Sequence, residues 1–134
     1  MPTPSKTPNA DFKRADDFVS RYANNAQYES SLWDLKLIFG QLDQSISSQT
    51  VIQHTAVTIP WLQVKLLVYF LQINLIAHEA SNGRVMVAPG IVSEPPIVKK
   101  EEASRFGWSE EAIEQIQKHY RNFMAANPEA TPKK

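Results

Sequence analysis

His78-Glu79, within "LIAHEASNG", is the pair of neighbouring side chains in this sequence that most invites a metal. A zinc-peptidase helix needs a second His four residues after the first, so that both imidazoles share one face. Position 82 is Asn, and that ligand pattern is broken. His54 and His119 stand far off, and nothing in their spacing recruits them. A His close to a helix C-terminus has a plainer explanation, because its cationic form suits the negative end of the helix dipole. Lys65, Gln72 and Glu79 recur every seven residues. They read as a polar site, as a helix edge where a lysine stem lies on apolar surface, or as a strip at a subunit boundary that sets register. Asn24-Asn25 is of the type that caps or turns a backbone. There is no Gly-rich phosphate loop, Ser-His-Asp set or nucleophile elbow. The expectation is a chain with no catalytic residue, no metal and no cofactor.

The elements that must position these residues are bounded by composition. A chain of 134 residues has room for one domain. It balances 14 basic against 14 acidic residues, without the basic excess that neutralises phosphates, so nucleic acid is not the expected partner. The absence of cysteine excludes a disulfide scaffold, thiolate catalysis and cysteine-based zinc sites, and fits a reducing compartment. The first residues, "MPTPSKTPNADFKRADDF", contain no apolar run of the secretory type, and neither end shows a lipidation box. A cytoplasmic protein is expected.

Proline placement divides the chain. Pro2, Pro4 and Pro8 fall early, Pro89, Pro95 and Pro96 fall late, and Pro128 and Pro132 close the sequence, leaving Pro60 alone in the middle. Because proline disfavours helix interiors and central strands, the expected organisation is a disordered leader (1–10), an α+β core (11–90), a Pro-rich connector (91–107), a C-terminal helix (108–126) and a disordered tail (127–134). Phe12, Ala15, Val19 and Tyr22 have helix-like spacing and predict a short helix. "YANNAQYESS" reads as extended, and "DLKLIFGQLDQ" as a strand with Leu35, Leu37 and Phe39 on one face. Gly40 within it marks a bulge or a close backbone approach. "SISSQ" is a polar loop, and "TVIQHTAVTI" is a β-branched strand with Val51, Val57 and Ile59 together. Short loops favour antiparallel neighbours. A fourth short strand is predicted at Arg84–Val87.

Between Pro60 and Asn82-Gly83 lies one long helix, opened by proline and closed by glycine. It is not expected to span a bilayer. Gln63, Lys65, Gln72 and Asn74 interrupt it, and a lysine at bilayer depth costs about 3 kcal/mol. At about 100° per residue, Lys65, Gln72 and Glu79 form one polar stripe, and Gln63, Asn74 and His78 form another nearly opposite. Two apolar faces remain. Trp61, Val64, Val68, Leu71 and Leu75 form the first, assigned to the chain's own sheet. Leu62, Leu66, Phe70, Ile73 and Ala77 form the second, which needs another cover. Leaving it wet forfeits about 1.5–3 kcal/mol per large side chain. A homodimer or higher oligomer is the expected solution.

The C-terminal helix is signalled by Ser109 as N-cap, by Glu110 and Glu111 at the positive end of the dipole, and by Trp108 and Ile113 as a hydrophobic staple. Its stripe of Ile113, Ile116, Tyr120 and Phe123 either docks on its own core or, with Trp108, grips a partner. Trp33 and Trp61 are assigned to the core.

The ordered set Tyr22-Ala23-Asn24-Asn25, Trp33-Asp34, Phe39-Gly40, Ile59-Pro60-Trp61, then Lys65, Asn74, His78-Glu79 and Gly83, resembles domain-of-unknown-function family 3467, a family of short prokaryotic proteins. The likeness covers about residues 22–89. It implies a strand–strand–strand–helix unit and no catalytic residues. In layout alone the chain is also similar to the secretion chaperone SecB, which has an additional strand before its helix.

The combined expectation is an α+β protein: an antiparallel three- to four-stranded sheet, one long buried helix and a C-terminal amphipathic helix. It would be a non-enzymatic homo-oligomer acting by protein–protein interaction as a scaffold, adaptor or chaperone-like module. The alternative is a small-ligand or nucleic-acid binding regulator.

Overall fold

A computed structural model describes residues 10–43, 50–95 and 107–133. Three strands, β1 (Asn25–Ser30), β2 (Asp34–Asp43) and β3 (Thr50–Pro60), are followed by helix α1 (Trp61–Asn82), helix α2 (Glu110–Ala126) and a 3₁₀ turn at Pro128–Ala130. The chain divides into two units, residues 1–71 and 72–134, and α1 runs through the division. The class is α+β, as the sequence predicts. The leader to residue 9, the "SISSQ" loop and connector residues 96–106 lie outside the described residues.

In the first unit the strands form an antiparallel meander in the order β1-β2-β3. Ser31 closes the first hairpin. Its hydroxyl accepts from the Asp34 N–H at 3.1 Å and donates to Asp34 Oδ1 at 2.8 Å. Asn24 extends the ladder, donating its N–H to the Gly40 carbonyl and accepting from the Leu42 N–H at 2.8 Å. The β2–β3 pairing shifts at Gly40: Phe39 faces Thr55 and Gly40 faces Gln53, so His54 is an extra residue on β3. Such a bulge reverses the side-chain alternation beyond it. The predicted grouping of Val51 with Val57 and Ile59 is therefore corrected, and Ile52 takes that place beside Leu35, Leu37 and Phe39. The opposite face is mixed: Ile38, Leu42 and Val51 share it with polar side chains, among them Lys36, 3.6 Å from Glu29, and Gln53, which donates to Gln27 at 3.0 Å.

Gly40 is fully buried because the two backbones meet there. A Cβ at this position would lie 2.7 Å from the Ile52 carbonyl oxygen and 2.9 Å from Val51 Cγ1. Gly40→Ala forces strands apart at the bulge, and we expect a loss of about 1–3 kcal/mol, read as a lower urea midpoint.

Two further sequence expectations differ from this unit. The predicted helix from Phe12 to Tyr22 is absent. The segment makes a single turn, with the Phe18 N–H bonded to the Ala15 carbonyl, and Phe12, Phe18, Val19 and Tyr22 all stay exposed. A helix of this length needs a packed face to persist, and this one has none. Trp33, assigned to the core, sits in the hairpin loop at 79 % exposure.

In the second unit, Gly83 ends α1 with φ of 89° and its N–H on the Glu79 carbonyl. No fourth strand forms at Arg84–Val87. The Val85 N–H goes to Glu79 Oε2 at 2.8 Å and the Val87 N–H to Glu129 Oε1 at 3.4 Å, so carboxylates take the bonds a neighbouring strand would offer. Ser109 caps α2, accepting from the Ala112 N–H at 3.1 Å as predicted. The predicted disordered tail is also corrected: Arg84 pairs with Glu129 and donates to the Ala126 carbonyl, and the Gly90 N–H reaches the Ala130 carbonyl. Among the described residues, Ala130 is the fully buried apolar side chain.

This latch has a pH signature. Hydrogen bonding and charge from Arg84 hold the Glu129 carboxyl below its ordinary value, and Glu129 raises Arg84. A carboxyl depressed in the folded state contributes stability above its unfolded pKa and loses it as pH falls through the lower folded value. Arg84→Met should flatten that acid limb for the second unit and leave the neutral-to-alkaline behaviour parallel to wild type. Thermal melts followed by circular dichroism across acid pH measure it.

Candidate interaction surface

The side chains that first suggest chemistry do not converge. Asn82, standing where a second zinc-binding His would be needed, donates to the His78 carbonyl at 3.1 Å and lies 3.4 Å from His78 Nδ1. His54 Nε2 is 3.0 Å from the Tyr22 carbonyl, which only accepts, so Nε2 donates there, and Nδ1 shares a 2.7 Å hydrogen bond with the Thr55 hydroxyl. This histidine fastens residues beside the bulge. Among the described residues no group of three or more His, Asp or Glu side chains is placed to hold a metal.

The feature that stands out is α1. Pro60 precedes it, and the Trp61 indole N–H donates to the Ser31 carbonyl at 3.0 Å, fixing the first helical turn to the β1–β2 hairpin. Beyond that point the expected burial fails: no residue of α1 is buried. The described helix is thus not the buried one predicted. A helix packs on one face of a three-stranded sheet, and a helix apolar on nearly every side exceeds what one face can cover. Every large apolar side chain of α1 except Val64 and Leu67 is exposed, from 41 % at Trp61 to 71 % at Leu62.

The five residues assigned to an interface, Leu62, Leu66, Phe70, Ile73 and Ala77, are all exposed. So are Val68, Leu71 and Leu75, which the sequence assigns to the chain's own sheet. Half-burial marks Val64 and Leu67 instead, and Leu67 belongs to neither of the two faces read from the sequence. Sequence reasoning also passed over Tyr69 and Ile76, at 58 % and 68 % exposure. Their seven-residue spacing from Leu62 was the available signal. Tyr69 and Phe70 meet edge to face with ring centroids 5.2 Å apart. No helix among the described residues is long and apolar enough to cross a membrane. The apolar side of the sheet is likewise open at Tyr28, Ile52 and Val57.

The second candidate surface is quieter. Trp108, Ile113, Ile116 and Tyr120 are half-buried, and Phe123 is exposed. Ile116, Tyr120 and Phe123 share a cleft with Val92 and Pro95 of the same chain. Part of the α2 stripe is thus lined by the connector that precedes it.

Comparison of the chain with family models, curated proteins and solved structures yields no match in any of the three.

Proposed function

We propose that this chain is a cytoplasmic, non-enzymatic module that self-associates through α1 and acts by binding another protein, in the manner of a scaffold, adaptor or chaperone. The observation that carries this reading is the exposure of α1 along its whole length. Roughly ten large side chains, each about half exposed, leave on the order of 1,000 Å² of apolar surface open, the aromatic ones among them being of the size that buries about 150–250 Å². A standard protein–protein interface takes about 800 Å² from each partner. A monomeric protein rarely leaves an apolar patch beyond a few hundred Å² in water.

Light scattering of the purified chain on a size-exclusion column tests it. The expected mass is twice the chain mass or a higher whole multiple of it. A single-chain mass with a cooperative, well-ordered fold would contradict the proposal and favour a regulator that binds a small ligand or nucleic acid.

A further inference from the structure

Resting on that reading, we infer that two copies of α1 pair antiparallel, in one register, through a seam formed by Leu62, Leu66, Tyr69, Ile73, Ile76 and Ala80. These positions alternate steps of four and three, the repeat that keeps an apolar stripe facing a neighbouring helix. All six are exposed, and three of them, Leu62, Tyr69 and Ile76, are exposed by more than half. The half-buried Val64 and Leu67 lie on the other side of the helix at about 100° per residue.

The direction follows from the flanks. Lys65, Gln72 and Glu79 occupy the same position beside the seam in three successive repeats. In an antiparallel pair this flank meets its own copy running the other way. Lys65 then lies beside the second copy's Glu79, Gln72 beside Gln72, and Glu79 beside Lys65, giving two opposite-charge pairs about a central amide pair. On the other flank Phe70 meets Phe70. In a parallel pair Lys65 would face Phe70 and Gln72 would face Ala77, with no charge matched. Glu79 is set for this role. Its Oε2 accepts the Val85 N–H at 2.8 Å, which fixes the carboxylate, and a carboxylate accepts several donors at once.

Register follows too. Antiparallel layers match Leu66 with the second copy's Ile76, Tyr69 with Ile73, and Leu62 with Ala80. All share a midpoint at residue 71, within one residue of the middle of a helix running from Trp61 to Asn82. The pairing therefore overlaps the two helices along their full length.

The chain has no cysteine, so introduced thiols report without background. In this register Leu66→Cys and Ile76→Cys proteins, mixed and oxidised, form a mixed disulfide. Each alone does not, because identical positions lie about 15 Å apart along the helix, beyond disulfide reach. Lys65→Glu should weaken self-association about tenfold at low salt, and adding Glu79→Lys should restore it. Self-linking of each single variant, or an assembled wild-type mass with no mixed disulfide and no effect of Lys65→Glu, overturns this pairing while self-association stands. A single-chain mass for the wild type removes both.

Discussion

Ile73→Glu is expected to dissociate the assembly and, with it, to unfold the chain. Ile73 lies on the exposed side of α1, in the face that needs a cover. Each copy then loses about 1 kcal/mol of apolar burial, since a half-exposed Ile has roughly half of its 1.5–3 kcal/mol still to gain. Each also brings a carboxylate into the contact at about 1–3 kcal/mol or more. With two copies per dimer the total is about 4 kcal/mol at the least, or roughly a thousandfold in Kd. Phe70→Glu acts in the same way. Ile73→Val keeps the shape and should cost about 1 kcal/mol, so mass measured for the two variants side by side separates loss of the surface from any disturbance at position 73. An Ile73→Glu chain that stays folded at the wild-type mass would refute the role of α1.

Trp61→Ala is expected to be the most damaging change within one chain. The indole holds the helix start against the β1–β2 hairpin through a 3.0 Å bond to the Ser31 carbonyl, with the ring 41 % exposed. A buried Trp→Ala costs about 3–5 kcal/mol, and the partial exposure brings this to about 2–3 kcal/mol. Trp61→Phe keeps an aromatic ring, though a smaller one, and loses the donor, for about 1 kcal/mol from the hydrogen bond. Urea midpoints for the pair resolve packing from hydrogen bonding; equal losses would show that the bond, not the ring, anchors the helix.

Local rules made much of the fold legible. Pro60 and Asn82-Gly83 bracket α1, Ser109 starts α2, and alternation in "DLKLIF" marks β2, because each signal acts within one or two turns of its own residue. What escaped depends on distant partners. The His54 bulge arises where Gly40 lets the strands close, and it changes which residue joins Val57 and Ile59. Val85 and Val87 have strand chemistry, yet carboxylates from Glu79 and Glu129 take their N–H groups. Phe12 to Tyr22 have helical spacing and nothing to pack on. For the interaction surface, the double-sided character of α1 was legible from Leu62, Leu66, Phe70 and Ile73. The sharing of those faces was not: the inward side is narrower than expected, reaching Val64 and Leu67 but not Val68, Leu71 or Leu75.

The central claim is that one copy cannot cover α1, so folding and assembly are one equilibrium. Urea unfolding followed by circular dichroism, at protein concentrations about a hundredfold apart, tests it most directly. Dissociation coupled to unfolding makes the native state more stable by about 2.7 kcal/mol over that range, moving the midpoint up by about 1 M at typical urea sensitivity. A midpoint that stays fixed across the series would show that a single chain holds its own fold, and would contradict the account.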